Sequence, residues 1–200
     1  YQKVLQLDPL NVFAAQGIAI MFAESKRMGP ALEILRKVRD SLENEDVHVN
    51  IAHCLLDMRE YVKAIEAYEF VLKKFCTDNS SMNKSRVLNL LARAWYSRGM
   101  RERSVQFFQN ALEKASAALE TESTSNFKNL RFLGVLKYNV ALLHFQIAET
   151  LRRTGPMLRT SAGMKDALIG LSEALVLLKE LLESDNFKTV SKEELEQRIQ

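Results

Sequence analysis

Asp46–Phe75 reads DVHVNIAHCLLDMREYVKAIEAYEFVLKKF, and its spacing decides the fold. Val47, Ile51, Ala52, Leu55 and Leu56 recur at helical intervals and share one face. Met58–Tyr61 breaks the pattern, and Ala64, Ala67, Tyr68, Val71 and Leu72 open a second apolar stripe. The stretch therefore predicts two amphipathic helices joined by a tight turn. Two helices of about a dozen residues cannot bury both apolar faces against each other, so neighbouring helices must cover them.

The rest of the chain supplies those neighbours by repeating the pattern. A small residue sits midway along each first helix: Ala19, Ala52, Ala92 and Ala141. In each second helix a small residue is followed at fixed distances by a large one and then a small or medium one. The sets are Ala31/Leu35/Val38, Ala64/Tyr68/Val71, Ser104/Phe108/Ala111 and Ala167/Leu171/Ala174. In the first three units the first-helix anchor precedes the second by 12 residues; in the fourth the gap is 26. Small positions let paired helices approach, and large ones fill the space between pairs. This arrangement resembles the tetratricopeptide repeat (TPR), a unit of about 34 residues.

The expected fold is all-α, a right-handed TPR superhelix of antiparallel helix pairs. Residues 1–183 form the array: 1–11 end a preceding repeat, 12–44, 45–84 and 85–120 are repeats, and 128–183 is an extended one. Residues 184–200 are a polar helix or the start of the next repeat. Pro9 stops the opening helix. Asn11 and Asp46 are expected N-caps, Gly29 and Pro30 mark a turn, and Gly99 is expected to end the first helix of repeat three. Thr77–Lys84 (TDNSSMNK) and Thr121–Asn126 (TESTSN) read as polar insertions, and Gly155–Gly163 as an interruption before a return helix over Lys165–Leu182. Ser191 and Glu194 have capping-box spacing. A chain that opens at Tyr1 inside a helical pattern reads as a piece of something longer.

Composition narrows the function classes. Hydrophobic residues make up 47% of the chain, enough for a core, and 7 Gly with 3 Pro fit an all-α protein. A net charge of +3 does not by itself indicate nucleic-acid binding. No apolar run approaches the roughly 20 residues of a membrane span, and no signal peptide is visible. Cys54 and Cys76 lack metal-site spacing and read as reduced thiols.

No catalytic constellation, phosphate loop or cofactor motif is present, so the chain is not expected to be an enzyme or to hold a cofactor or metal. His48, His53 and His144 form no catalytic grouping, and His48 and His144 occupy packed repeat positions. Arginines gather at two turns: Arg93, Arg98, Arg101 and Arg103 at one, and Arg152, Arg153 and Arg159 with Lys165 at the other. These turns could meet an acidic partner or RNA, but interspersed Glu102, Glu149 and Asp166 favour a solvated face, and direct nucleic-acid binding is not expected.

Stacked helix pairs present a concave surface lined by first helices, which takes segments of other proteins. The expected lining is Gln16, Asn50, His53, Asn89, Arg93, Tyr96, Asn139 and Gln146. Asparagine amides there offer both a donor and an acceptor to a partner's main chain. A TPR co-chaperone or other peptide-binding adaptor is the alternative. A chaperone-type carboxylate clamp would use the positions of Gln16, Ile20, Asn50, Arg86 and Leu90, of which only Asn50 fits and Arg86 is a partial substitute.

Two segments are more specific than a generic repeat: Tyr1–Asn11 (YQKVLQLDPLN) and Asn139–Thr154 (NVALLHFQIAETLRRT). With Val49–Phe75 and Asn89–Gly99 they are similar to the TPR scaffold subunit of the fungal polymerase-associated factor (PAF) complex, over roughly residues 1–183. The resemblance implies a nuclear, non-enzymatic scaffold in transcription elongation and linked histone modification. It implies binding to the complex's namesake subunit and to parafibromin, with RNA polymerase II reached indirectly.

Overall fold

The computed structural model describes residues 1–77, 83–126, 128–155, 159–184 and 187–199. Most of the TDNSSMNK stretch, and residues 156–158 of the GPMLRTSAG stretch, lie outside them. Among the described residues there are ten α-helices and no strand, in two compact units, 1–78 and 79–200.

The first unit contains α1 (Gln2–Leu7), α2 (Val12–Glu24), α3 (Met28–Ser41), α4 (Glu45–Asp57) and α5 (Tyr61–Phe75). Consecutive helices pack as hairpins, and α3 also packs on α4. The residues expected where helices meet are fully buried: Ala19, Ala31, Leu35, Ala52, Ala64, Tyr68 and Val71. Asn11 caps α2, accepting a hydrogen bond from the Ala14 amide at 2.9 Å. The cap of α4 is Asn44, which accepts from the Asp46 amide at 2.8 Å. Asp46, expected as the cap, instead lies in the first turn beside Glu45, where a carboxylate faces the positive end of the helix. On α2 the inward residues are Ala14, Gly17 and Ala19, while Ala15, Ile18 and Phe22 are only half-buried. The Tyr1 ring lies close over Gly17, where a Cβ would come within 2.5 Å of it.

The second unit contains α6 (Lys84–Glu102), α7 (Val105–Thr124), α8 (Leu130–Arg153), α9 (Ser161–Glu183) and α10 (Lys192–Ile199). Gly99 does not end α6. The helix runs on to Glu102 and turns through Arg103 in the left-handed region, at φ 51°. Gly99 is buried instead, and a Cβ on it would lie 2.8 Å from the Phe108 ring, so the glycine makes room for that ring. The TESTSN stretch is not a loop throughout, because α7 continues through Thr124. The reason is tertiary. Glu122 is buried, accepts from the Ser85 hydroxyl at 2.7 Å and from the Asn129 amide at 2.9 Å, and so ties α6, α7 and the entry to α8 together. Glu122→Ala strands both donors and is expected to cost about 2–4 kcal/mol. It should appear as faster amide exchange at the start of α6 and the end of α7.

The return helix α9 begins at Ser161, capped by Thr160, whose hydroxyl accepts from the Gly163 amide at 3.1 Å. Its buried face is Ala167, Gly170, Ala174, Leu178 and Leu181. Leu171, expected as the large packed residue, is half-buried, and Gly170 takes the close contact, against His144. The polar helix α10 docks on α9 through Leu195, fully buried in a cluster with Tyr138, Ala174 and Leu178. Ser191 accepts from the Glu194 amide at 3.2 Å, the hydroxyl half of the expected capping box.

His48 and His144 both pack rather than project. His48 lies against Phe70 and Phe75, with ring centroids at 4.9 and 5.5 Å, and its buried Nε2 has no hydrogen-bond partner among the described residues. Burial first, then Arg39, pushes its pKa below the ordinary 6.5. Burial also lowers the pKa of His144, outweighing Glu173 at 3.4 Å. A depressed histidine pKa means that the unfolded chain takes up the proton first. The stability contributed by the neutral rings is therefore present above 6.5 and is lost as pH falls below it. Amide-exchange protection factors in α4 and α5, corrected for the slower intrinsic exchange at lower pH, are expected to fall between about pH 7.5 and about pH 5.5, and His48→Phe to remove much of that fall.

Candidate protein-binding surface

In the first unit, α2 and α4 flank a hollow of about 230 Å³ lined by Ile20, Ala23, Glu24, Asn50, His53 and Asp57, among others. Asn50 and His53 thus come together, while Gln16 is not among the lining residues. His53 is anchored from behind: its Nδ1 lies 2.8 Å from the hydroxyl of Tyr68, whose ring is fully buried. One edge of the imidazole is therefore committed to the core. Asp57, the last residue of α4, pairs at 3.7 Å with Lys26 in the turn between α2 and α3.

The second unit places four of the expected residues around one hollow of about 200 Å³: Asn89, Arg93 and Tyr96 from α6, and Asn139 from α8. Ala92 and Leu143 line it as well. Asn139 donates its Nδ2–H to Asn89 Oδ1 at 3.0 Å, joining the two first helices. Nearer the C-terminal ends of α6 and α8 lies a larger hollow of about 770 Å³, whose lining includes Met100, Arg103, Phe145, Gln146, Glu149 and Arg153. Buried Phe108 contributes to its floor. Gln146 therefore falls in this hollow rather than with Asn139. Leu142 and Phe145 also join Leu171 and Leu175 in an apolar trough of about 460 Å³ that reaches α10.

The two arginine turns are not one free cationic surface. Arg98 stacks over Phe107 at 4.1 Å and pairs with Glu102 at 2.9 Å. Glu149 takes Arg152 at 2.7 Å and Arg153 at 2.6 Å, and the two guanidiniums hold its carboxyl down at about 2. Arg159 donates to the Thr154 carbonyl at 2.7 Å and to the Arg152 carbonyl, closing the end of α8. Among the described residues no His, Cys, Asp and Glu grouping could hold a metal ion, and no helix is long and apolar enough to cross a membrane. Cys54 and Cys76 are both buried, and burial pushes the Cys54 pKa up.

Sequence reasoning missed Leu142, Phe145 and Met100, because an apolar residue on an amphipathic helix reads as core. Phe145 is nevertheless 56% exposed. The signal was in the register: Leu142 and Phe145 follow Asn139 by three and six residues and lead to Gln146, all on one stripe of α8.

Helix hairpins packed through small residues, with first helices lining side-chain-rich hollows, define a protein of the TPR class. The structure of MamA shares this architecture at a TM-score of 0.61 and 14% identity, over 96% of this chain and 85% of that one. So does TTC0263, a thermophilic TPR protein of Thermus thermophilus, at 0.52 and 14%, over 94% of this chain and 96% of that one. No family model matches the chain. In sequence, all 200 residues are 62% identical to the RNA polymerase-associated protein CTR9 of Saccharomyces cerevisiae, covering 18% of its length. Tetratricopeptide repeat protein 1 of Schizosaccharomyces pombe is 30% identical over 182 residues, 91% of this chain and 16% of that protein. CTR9 of Caenorhabditis elegans is 30% identical over 154 residues, 76% of this chain and 12% of that protein. The chain belongs to this family of RNA polymerase-associated TPR proteins, and it spans less than a fifth of the length of the relatives it matches.

Proposed function

We propose that the chain is a non-enzymatic, protein-binding segment of the scaffold that assembles the polymerase-associated factor complex in the nucleus. Its partners are the other subunits, the namesake subunit and parafibromin among them, with RNA polymerase II reached indirectly. The scaffold serves transcription elongation and linked histone modification. The observation that carries this reading is the 62% identity over the whole chain to a protein named for its association with RNA polymerase. The hollows between first helices support it, since they offer amide, cationic and apolar groups to another chain. The partner-binding residues are Asn50 and His53 in the first unit, and Asn89, Arg93, Tyr96, Asn139 and Gln146 in the second, with Gln16 outside the hollows described. Tagged full-length protein isolated from nuclei tests the proposal. The reading expects the complex's other subunits to co-purify, with recovery reduced when Asn89, Arg93 and Tyr96 are replaced together by alanine. Unchanged recovery would place binding elsewhere in the protein.

A further inference from the structure

The seam between α6 and α8 holds more cation than its own chain neutralises. Arg93 and Arg103 line its two hollows, and among the described residues neither guanidinium has a carboxylate partner. Glu149, the acid of that lining, is already held by Arg152 and Arg153. Between the two arginines lie the apolar faces of Phe145, 56% exposed, and Met100, 49% exposed. At the Arg93 end, the Asn139–Asn89 bond leaves amide donors and acceptors over, among them both Nδ2–H groups of Asn89 and the Oδ1 of Asn139.

We propose that this seam binds an internal, extended, acidic segment of a partner protein. The inference rests on the protein-binding reading above and adds the partner's chemistry. The asparagine pair meets one peptide unit of the segment. Phe145 and Met100 receive a large apolar side chain, and Arg93 and Arg103 each take a carboxylate. An extended main chain has N–H and C=O groups to give the asparagines, whereas a helix consumes its own. The spacing also follows. Arg93 and Arg103 are ten residues apart on one helix and its turn, about 15 Å at the helical rise. An extended chain covers that distance in about four or five residues. The segment should therefore carry two acidic residues about four or five positions apart, with an apolar residue between them and no need of a free C-terminal carboxylate.

The test uses overlapping, amide-capped peptides covering the subunits that co-purify with the full-length protein. They are probed with that protein and with an R93E/R103E variant whose amide-exchange protection in α6 and α8 matches wild type. If the reversal costs protection, R93Q/R103Q serves instead. The expected result is that the bound peptides show the acidic–apolar–acidic pattern and that the variant binds them about tenfold or more weakly. Glu→Lys changes in the peptide should restore binding to R93E/R103E. Neutral or basic bound peptides, unchanged affinity in the variant, or binding of nucleic acid alone would overturn the proposal. If no peptide binds while the same subunits still co-purify, the acidic-segment proposal falls and the scaffold reading stands. If no subunit co-purifies with the wild-type protein, both fall.

Discussion

Ala64→Glu is expected to unfold the helix pair α4–α5. Ala64 is fully buried where the two helices meet, and Ala52 on the facing helix is equally closed off. A glutamate adds a methylene and a carboxylate to a contact that accommodates a methyl group. Overpacking and an unpaired buried carboxylate together cost roughly 4–8 kcal/mol. That is comparable to the whole stability of a typical domain, about 5–15 kcal/mol. Hydrogen exchange on the protein should show α4 and α5 losing protection together, while Ala64→Ser leaves most of it. Ala92→Glu should do the same to the second unit, because Ala92 packs in the cluster of Phe108, Ala111 and Val140 and also lines the Asn89–Asn139 hollow. Retained protection in both glutamate variants would mean that the repeat register is wrong.

Phe108→Ala is the second large effect, expected to cost about 3–5 kcal/mol. The ring is 1% exposed, lies beside Tyr96 at 5.7 Å, and fills the space that Gly99 leaves open. Removing it opens a cavity beneath Met100 and Arg103, so stability and the floor of the larger hollow should be lost together. Gly99→Ala should destabilise by a related route, through the clash of its methyl group with the ring. The two substitutions should then be non-additive: with the ring gone, the new methyl group has room, and the double variant should lose less than the sum of the singles. Thermal unfolding and exchange in α6 and α7 measure this, and strict additivity would contradict the contact.

The pattern of small, large and small residues made the repeats readable, because each such residue performs one local steric task. Ala31, Leu35, Ala64, Tyr68, Val71, Phe108 and Ala111 are all closed to solvent. The same spacing chose the wrong large residue on α9. Leu171 is only half-buried there, since Gly170 rather than Leu171 meets His144 on α8. Helix ends were readable where the deciding contact is local, as at Asn11. They were not where it is distant. The Phe108 ring explains why Gly99 can lie inside a helix, and Ser85, 37 residues away, secures the helical Glu122. On the candidate surface, residue type alone suggested Asn89, Arg93, Tyr96 and Asn139, which the fold gathers around one hollow. It could not separate Arg93 and Arg103 from Arg98, whose charge is spent on Glu102 and the Phe107 ring. Nor could it see Phe145 as surface, because burial depends on what neighbouring helices cover.

The central claim is that this segment binds another subunit through its repeats. Co-expression of the protein with the namesake subunit of the polymerase-associated factor complex, followed by size-exclusion chromatography, tests it most directly. The account predicts a co-eluting complex that weakens when Arg93, Phe145 and Arg103 are changed together while exchange protection in α6 and α8 is kept. Separate elution of two folded proteins, or a complex indifferent to those three residues, would contradict it.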